Sequence, residues 1–313
     1  MNYAKTILAN SIAMILLCAM NSYAEDGSGL FFDLLTTNPP NTSIVIASPA
    51  GEKTGMNILA GSINDVSSYV QEIPNSYAGY EASPMNNETG AAADTGHVSV
   101  QIFNHVVPGN YNVSIYASTA TVYRLSVDLR NTTGQFIGAF TVSGLISAAG
   151  AAQYGMALNP TPGAPAPVIT KTVTFDVLRN DVSVAQKLNQ LGDDKFAAKV
   201  VRNINLAEKL AGVCGKRKAK KDKCEPAVNA LRLFVKRLEL ANRKCDNPAD
   251  CDEAKDLSAF RKAHGKDHDY DDFFKDSDKK EKPAKRFIAD EALGIIKSDA
   301  EVLIKQYGGE GKK

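Results

Sequence analysis

Asn159-Pro160-Thr161-Pro162-Gly163-Ala164-Pro165-Ala166-Pro167, followed directly by Val168-Ile169-Thr170-Lys171-Thr172-Val173-Thr174-Phe175-Asp176-Val177, separates two unlike halves of this chain. The proline run suits neither a helix nor a central strand. The β-branched, apolar run behind it reads as a last strand of the first half, which puts the boundary near Asn180. Ahead of the junction the sequence is rich in Gly, Ser, Thr and Asn; behind it, apolar residues recur at helical spacing among many charges. The expected fold is α+β in separate domains. An antiparallel β-sandwich spans 25–180 and a disulfide-stapled antiparallel helical bundle spans 181–313, after a leader at 1–24.

Working back from the junction, short β-branched or aromatic runs are bounded by turn formers. Ser43 to Ala47 ends at Ser48-Pro49-Ala50-Gly51, and Val98, Val100 and Ile102 alternate within His97 to Phe103. Pro108-Gly109-Asn110 makes a turn before Tyr111, Val113 and Ile115. Val122 to Val127 is expected to pair with that strand as a hairpin across Ser118-Thr119. Phe136 to Val142 and Thr172 to Val177 complete the set. The stretch from Asn57 to Gly96 is low in apolar content and reads as a long polar connection, punctuated by Tyr69, Tyr77 and Tyr80.

Forward of the junction the period becomes helical from Val182. Leu188 and Leu191 close a short helix, and Gly192-Asp193-Asp194 supplies an aspartate to cap the next. Phe196, Val200, Ile204, Ala207 and Leu210 form one apolar stripe, and Val228, Leu231, Phe234 or Val235, and Leu238 form another behind Pro226. Ala289, Leu293, Ile296, Ala300, Leu303 and Tyr307 form the last, ended by Gly308-Gly309. Long amphipathic helices with short connections make an antiparallel bundle.

The first 24 residues have the parts of a secretory signal: Lys5, an apolar core from Ile7 to Met20, and Ser22-Tyr23-Ala24 at the cleavage point. No later stretch is apolar enough to span a bilayer. Export, to the periplasm, the cell surface or the medium, is the expectation. Cys18 leaves with the leader, so Cys214, Cys224, Cys245 and Cys251 remain, an even number in a disulfide-permissive compartment. Their spacing favours Cys214–Cys224 and Cys245–Cys251 over a zinc site, which would bring Cys-x2-Cys pairs. A formal net charge of +1 gives no global field to recruit nucleic acid, and sequence-specific nucleic-acid binding is not expected.

Two stretches resemble known families. Ser48 to Gly55, Glu72 to Tyr77, and Asn104 to Leu129, with Pro108-Gly109-x-Tyr111-x-Val113 and Tyr123-x-Leu125-x-Val127 as its hairpin, are together similar to pre-peptidase C-terminal and related jelly-roll-like modules of secreted bacterial proteins. The resemblance implies an accessory or binding role. Leu206 to Leu210, Ala230 to Val235 and Ala289 to Tyr307 resemble the helical repeats called FIMAH or FIVAR-like. Those repeats are associated with attachment to sugars or surfaces; the charged stretch from Asp252 to Lys282 departs from their pattern.

Candidates for chemistry are few. Lys216, Arg217, Lys218, Lys220, Lys221 and Lys223 crowd a loop between Cys214 and Cys224, a patch suited to an anionic polymer. Tyr69, Tyr77 and Tyr80 offer aromatic contact surface on polar loops. His264, Asp267 and His268 are weak candidates for metal ligation in what reads as a solvated loop, so neither metal nor cofactor is expected. Asn41, Asn87, Asn112 and Asn131 each open an Asn-x-Ser/Thr triplet. No Gly-x-Ser-x-Gly, His-Glu-x-x-His or phosphate-cradling glycine loop occurs. The expected function is non-catalytic binding to a cell-surface or extracellular glycan or anionic polymer. The alternative is an accessory subunit or inhibitor that binds a secreted protein.

Overall fold

The computed structural model describes residues 26–37, 39–61, 66–82, 95–104, 106–215, 224–242 and 287–308. Among them are eleven strands: β1 (Gly29–Thr37), β2 (Thr42–Ala47), β3 (Lys53–Met56), β4 (Tyr69–Gln71), β5 (Ser76–Ala82), β6 (Thr95–Phe103), β7 (Gly109–Ala117), β8 (Thr121–Arg130), β9 (Phe136–Ile146), β10 (Gly150–Leu158) and β11 (Val168–Lys171). Four α-helices follow: α1 (Phe175–Lys187), α2 (Asp194–Gly215), α3 (Glu225–Asn242) and α4 (Asp290–Gly308). The strands form two antiparallel sheets, ordered β5-β6-β1-β8-β9 and β11-β10-β7-β2-β3-β4. The protein is therefore mixed α+β.

The described residues group into two compact units. One comprises those within Met1–Val113, Leu125–Thr141 and Gly155–Thr170; the other, those within Ser114–Arg124, Val142–Tyr154 and Lys171–Lys313. In the first unit, strand alternation sorts apolar from polar. Leu30, Phe32 and Leu34 of β1 are buried with Ile44 and Ile46 of β2 and Val98, Val100 and Ile102 of β6, while Phe31, Asp33 and Leu35 take the other face of β1. Each large side chain removed from water contributes about 1.5–3 kcal/mol, so this alternation fixes the register in which β1 pairs β6, Leu30 opposite Ile102. Ser76 Oγ of β5 lies 2.9 Å from Thr54 Oγ1 of β3 and 2.7 Å from the Ile73 carbonyl, so one buried hydroxyl bridges the two sheets.

In the second unit α2 packs against α1 and α3, and α4 against α3 and α1. Phe196, Val200, Ile204 and Ala207 meet Ala230, Leu231, Phe234 and Leu238, with Ile296, Ala300 and Leu303 closing the core. Leu145 of β9 is buried in the same core, and Ala120 and Val122 pack against it. Asp193 caps α2, its Oδ1 accepting from the Phe196 N–H at 3.0 Å. Cys214 and Cys224 are disulfide-bonded, with their Cα atoms 5.2 Å apart.

Four local expectations change. Thr172 to Val177 is not a strand. β11 ends at Lys171, and Thr174 caps α1 with its hydroxyl accepting from the Val177 N–H at 3.3 Å. A side-chain cap followed by Asp176 in the first turn outweighs the β-branched preference of the run. The β7–β8 hairpin is absent: β7 pairs in one sheet and β8 in the other. Ser118-Thr119-Ala120 has no residue suited to the primed turns that close tight hairpins, and an arch lets both strands bury their apolar faces, Tyr111, Val113 and Ile115 on β7 and Tyr123, Leu125 and Val127 on β8. The polar stretch after Asn57 contains β4 and β5. Three further strands, β1, β3 and β10, have no counterpart among the expected ones.

Candidate functional site

The outer faces of β5, β6, β1 and β8 form a depression of about 350 Å³ in the first unit. Alternation places its lining: Phe31 and Asp33 on β1, Glu81 on β5, His97, Ser99 and Gln101 on β6, Ser126 and Asp128 on β8. Register sets neighbours. Tyr77 lies opposite Gln101, Gly79 opposite Ser99, and Glu81 opposite His97, while Phe31 lies opposite Gln101 and Asp33 opposite Ser99 on the other side. Small residues at the centre, Gly79, Ser99 and Ser126, make the hollow. A Cβ at Gly79 would come within 2.3 Å of the Tyr77 hydroxyl, so glycine there lets the Tyr77 ring lie along its own strand.

The lining is acidic and aromatic. Both oxygens of Asp33 lie 3.0 and 3.1 Å from His97 Nδ1, an ion pair when the imidazole is protonated. With side chains 41% and 51% exposed, this pair sits in water. Glu81 and Asp128 add carboxylates. Phe31 packs edge-on against Phe103, ring centres 5.3 Å apart, with the Arg130 guanidinium 5.6 Å above the Phe31 ring. Tyr77, 52% exposed, adds a third ring on this face. Ser99 Oγ is buried with no hydrogen-bond partner, a polar atom that a ligand hydroxyl would satisfy. Asp33 and His97 have the form of two members of a hydrolytic triad, yet Ser99 Oγ makes no bond to the ring.

A second cluster lies wholly in the second unit. Lys171, at the end of β11, hydrogen-bonds through Nζ to Asp299 Oδ2 of α4, and Asp181 Oδ2 of α1 lies 3.8 Å from the same nitrogen. These side chains are 9%, 5% and 0% exposed. Burial holds the Asp181 pKa well above the usual carboxylate range, Lys171 opposing the shift and Asp299 reinforcing it. Tyr123 of β8 and Tyr154 of β10 share a hydrogen bond of 2.6 Å between hydroxyls, rings 6.4 Å apart and edge-on. Both phenols are pushed upward, first by burial, with the Asp299 and Asp181 charges adding to it. Gly144 of β9 makes room for this pair: a Cβ there would stand 2.2 Å from the Tyr123 hydroxyl.

Of the residues singled out from sequence, Tyr77 and Tyr80 lie on β5 and Tyr69 on β4, on strands and not in a loop. Tyr77 borders the depression, while the Tyr80 hydroxyl is buried and packs over Gly96. Lys216, Arg217, Lys218, Lys220, Lys221 and Lys223 lie outside the described residues, as do Cys245, Cys251, His264, Asp267 and His268. Among the described residues no three His, Cys, Asp or Glu side chains are gathered as metal ligands, and no helix is long and apolar enough to cross a membrane. Comparison with protein-family models, curated proteins and solved structures finds no match to this chain.

The sequence did carry a signal for the second cluster. Asp181 follows Leu178 by three residues and precedes Ala185 by four; Asp299 stands four from both Ile295 and Leu303. A carboxylate within an apolar helical stripe must be buried with a partner.

Proposed function

We propose that this is an exported, non-catalytic binding protein that docks a neutral glycan of the cell surface or extracellular matrix on the outer face of β5, β6, β1 and β8. The observation that carries the reading is the depression itself. The half-buried ring of Phe31 and the exposed ring of Tyr77 stand beside a dense set of hydrogen-bonding groups, including the unpartnered Ser99 hydroxyl. Sugars present apolar C–H faces to rings and hydroxyls to carboxylates and amides, so the chemistry is complementary. Asp33, Glu81 and Asp128 disfavour a polyanion at this face. Anionic polymers would fall to the basic loop at 216–223. The unassembled Ser99 hydroxyl favours binding over hydrolysis.

Three further parts belong to the same reading. The helices form a disulfide-stapled antiparallel bundle. The leader at 1–24 is removed after Ala24, and the Cys214–Cys224 bond supports export, because disulfides persist in oxidising compartments. The resemblance to jelly-roll-like modules supports an accessory role.

The test is binding of the mature protein to immobilised neutral and anionic polysaccharides, at low and high salt, beside Tyr77→Ala and Phe31→Ala. Neutral-glycan retention that survives salt and weakens about fivefold in each variant is expected, since one ring contact contributes about 1 kcal/mol. Retention unchanged in both variants overturns the site. Stoichiometric capture of one secreted protein, with no glycan bound, replaces the reading with an inhibitor or accessory subunit.

A further inference from the structure

The geometry points to Lys171 and Asp299 as the two ends of a self-formed amide cross-link, with Asp181 as the proton carrier that makes it. The three side chains meet in one buried site. Nζ of Lys171 touches Asp299 Oδ2, and Asp181 Oδ2 stands 3.8 Å from the same nitrogen. Asp181 is fully buried, and its neutral carboxyl shares a hydrogen bond with Asp299. The second carboxyl thus stands beside both reacting groups, 3.8 Å from the amine and hydrogen-bonded to the acid.

The chemistry balances without any added reagent. In the first step Lys171 passes a proton to Asp299, so that a neutral amine meets a neutral carboxylic acid. The amine lone pair attacks Cγ of Asp299, and a C–N bond forms. Asp181, kept protonated by burial, gives its proton to the departing oxygen of Asp299 and takes one from the attacking nitrogen. One C–O bond breaks and one water leaves. The products are an amide between Lys171 and Asp299 and an Asp181 carboxyl in its starting state. Nothing is oxidised or reduced.

Two features of the site suit this step. Folding holds the amine and acid in contact, and well-oriented intramolecular reactions reach effective molarities of about 10⁵ M and above. The Tyr123–Tyr154 pair, held together by its own hydrogen bond, lies near enough for both carboxyls to act on its phenols. These phenols stay protonated and present no competing charge. Scarce water also opposes hydrolysis of the amide once made.

Intact-mass spectrometry of the reduced, full-length mature protein tests the idea, followed by peptide mapping. The expected result is a wild-type mass short of the sequence mass by one water. In the tryptic digest, cleavage after Lys171 should fail, and the peptide containing Lys171 should be joined to segment 298–305. K171R and D299A should return to the sequence mass. D181N, which keeps shape and burial, should remain uncross-linked while retaining the wild-type circular dichroism spectrum. A wild-type mass equal to the sequence mass overturns the proposal, and so does a loss of water without the joined peptides. Cross-linking that persists in D181N removes Asp181 from the mechanism.

Discussion

The two acidic clusters of this protein use similar side chains and reach opposite physical situations. Asp33 meets His97 on an open sheet face, half exposed on both sides. Asp181 and Asp299 meet Lys171 where almost nothing is exposed. Water screens the first pair, so its contribution to stability is about 0–1 kcal/mol. The second has no such screening, and its groups must answer each other. What a carboxylate does is therefore set less by its partner than by how much solvent remains around both. The open cluster stays available to a ligand; the closed one is held for the fold or for chemistry within it.

The largest expected effect comes from removing Lys171 from the closed cluster. Lys171→Met leaves Asp181 and Asp299 facing each other in a dry site and should cost about 3–5 kcal/mol, read from urea unfolding. A cost under about 1 kcal/mol would mean that water reaches the cluster and that the contrast fails. Gly144→Ala comes next. It drives a methyl group into Tyr123 and should cost about 1–3 kcal/mol in the same measurement, with wild-type stability counting against the close approach.

Acidity separates the clusters further. Asp181 ionises near pH 4 in the unfolded chain and only at higher pH when folded, mainly because of burial. Between those values the folded state keeps a proton that the unfolded state has released. Its contribution is complete below about pH 4 and declines as pH rises through the folded value, by up to about 1.4 kcal/mol per pH unit. Lys171, Asp299, Tyr123 and Tyr154 are the groups around it. Asp181→Asn should flatten this dependence, measured as unfolding free energy from pH 4 upward; an unchanged slope would assign it elsewhere. The smallest effect belongs to the open cluster, where Asp33→Asn should change stability by less than about 1 kcal/mol. A larger loss would show that the face is drier than its exposure implies.

Sequence made parts of this legible and left others unread for physical reasons. The stripes of α2, α3 and α4 could be seen because each buries one face, and spacing alone reports that. The inner residues of β6 and β7 could be seen by alternation. β1 was hidden because Leu30-Phe31-Phe32-Asp33-Leu34-Leu35 puts apolar side chains on both faces, so no period of two emerges. β10 was hidden because Ala and Gly fill it and carry little strand preference. Thr174 is hidden as a cap because its β-branched neighbours give the run a strand signal. The depression could not be read at all, since it draws on four strands whose order in the sheet is not their order in the chain. Tyr77 stands out as an aromatic, but its polar surroundings give no sign of a strand.

The arch between β7 and β8 also bears on how the chain finds its fold. A hairpin would let two neighbouring strands zip together as soon as both existed. Here β7 and β8 part into different sheets, and β1 waits for β6 and β8, so that Leu30 finds its place only once Ile102 has been made. Structure of this kind closes late, through contacts far apart along the chain, and slow assembly follows from the loop entropy that must be spent first. A polypeptide delivered from its N-terminus would hold its first strand open until most of the partner sheet had arrived.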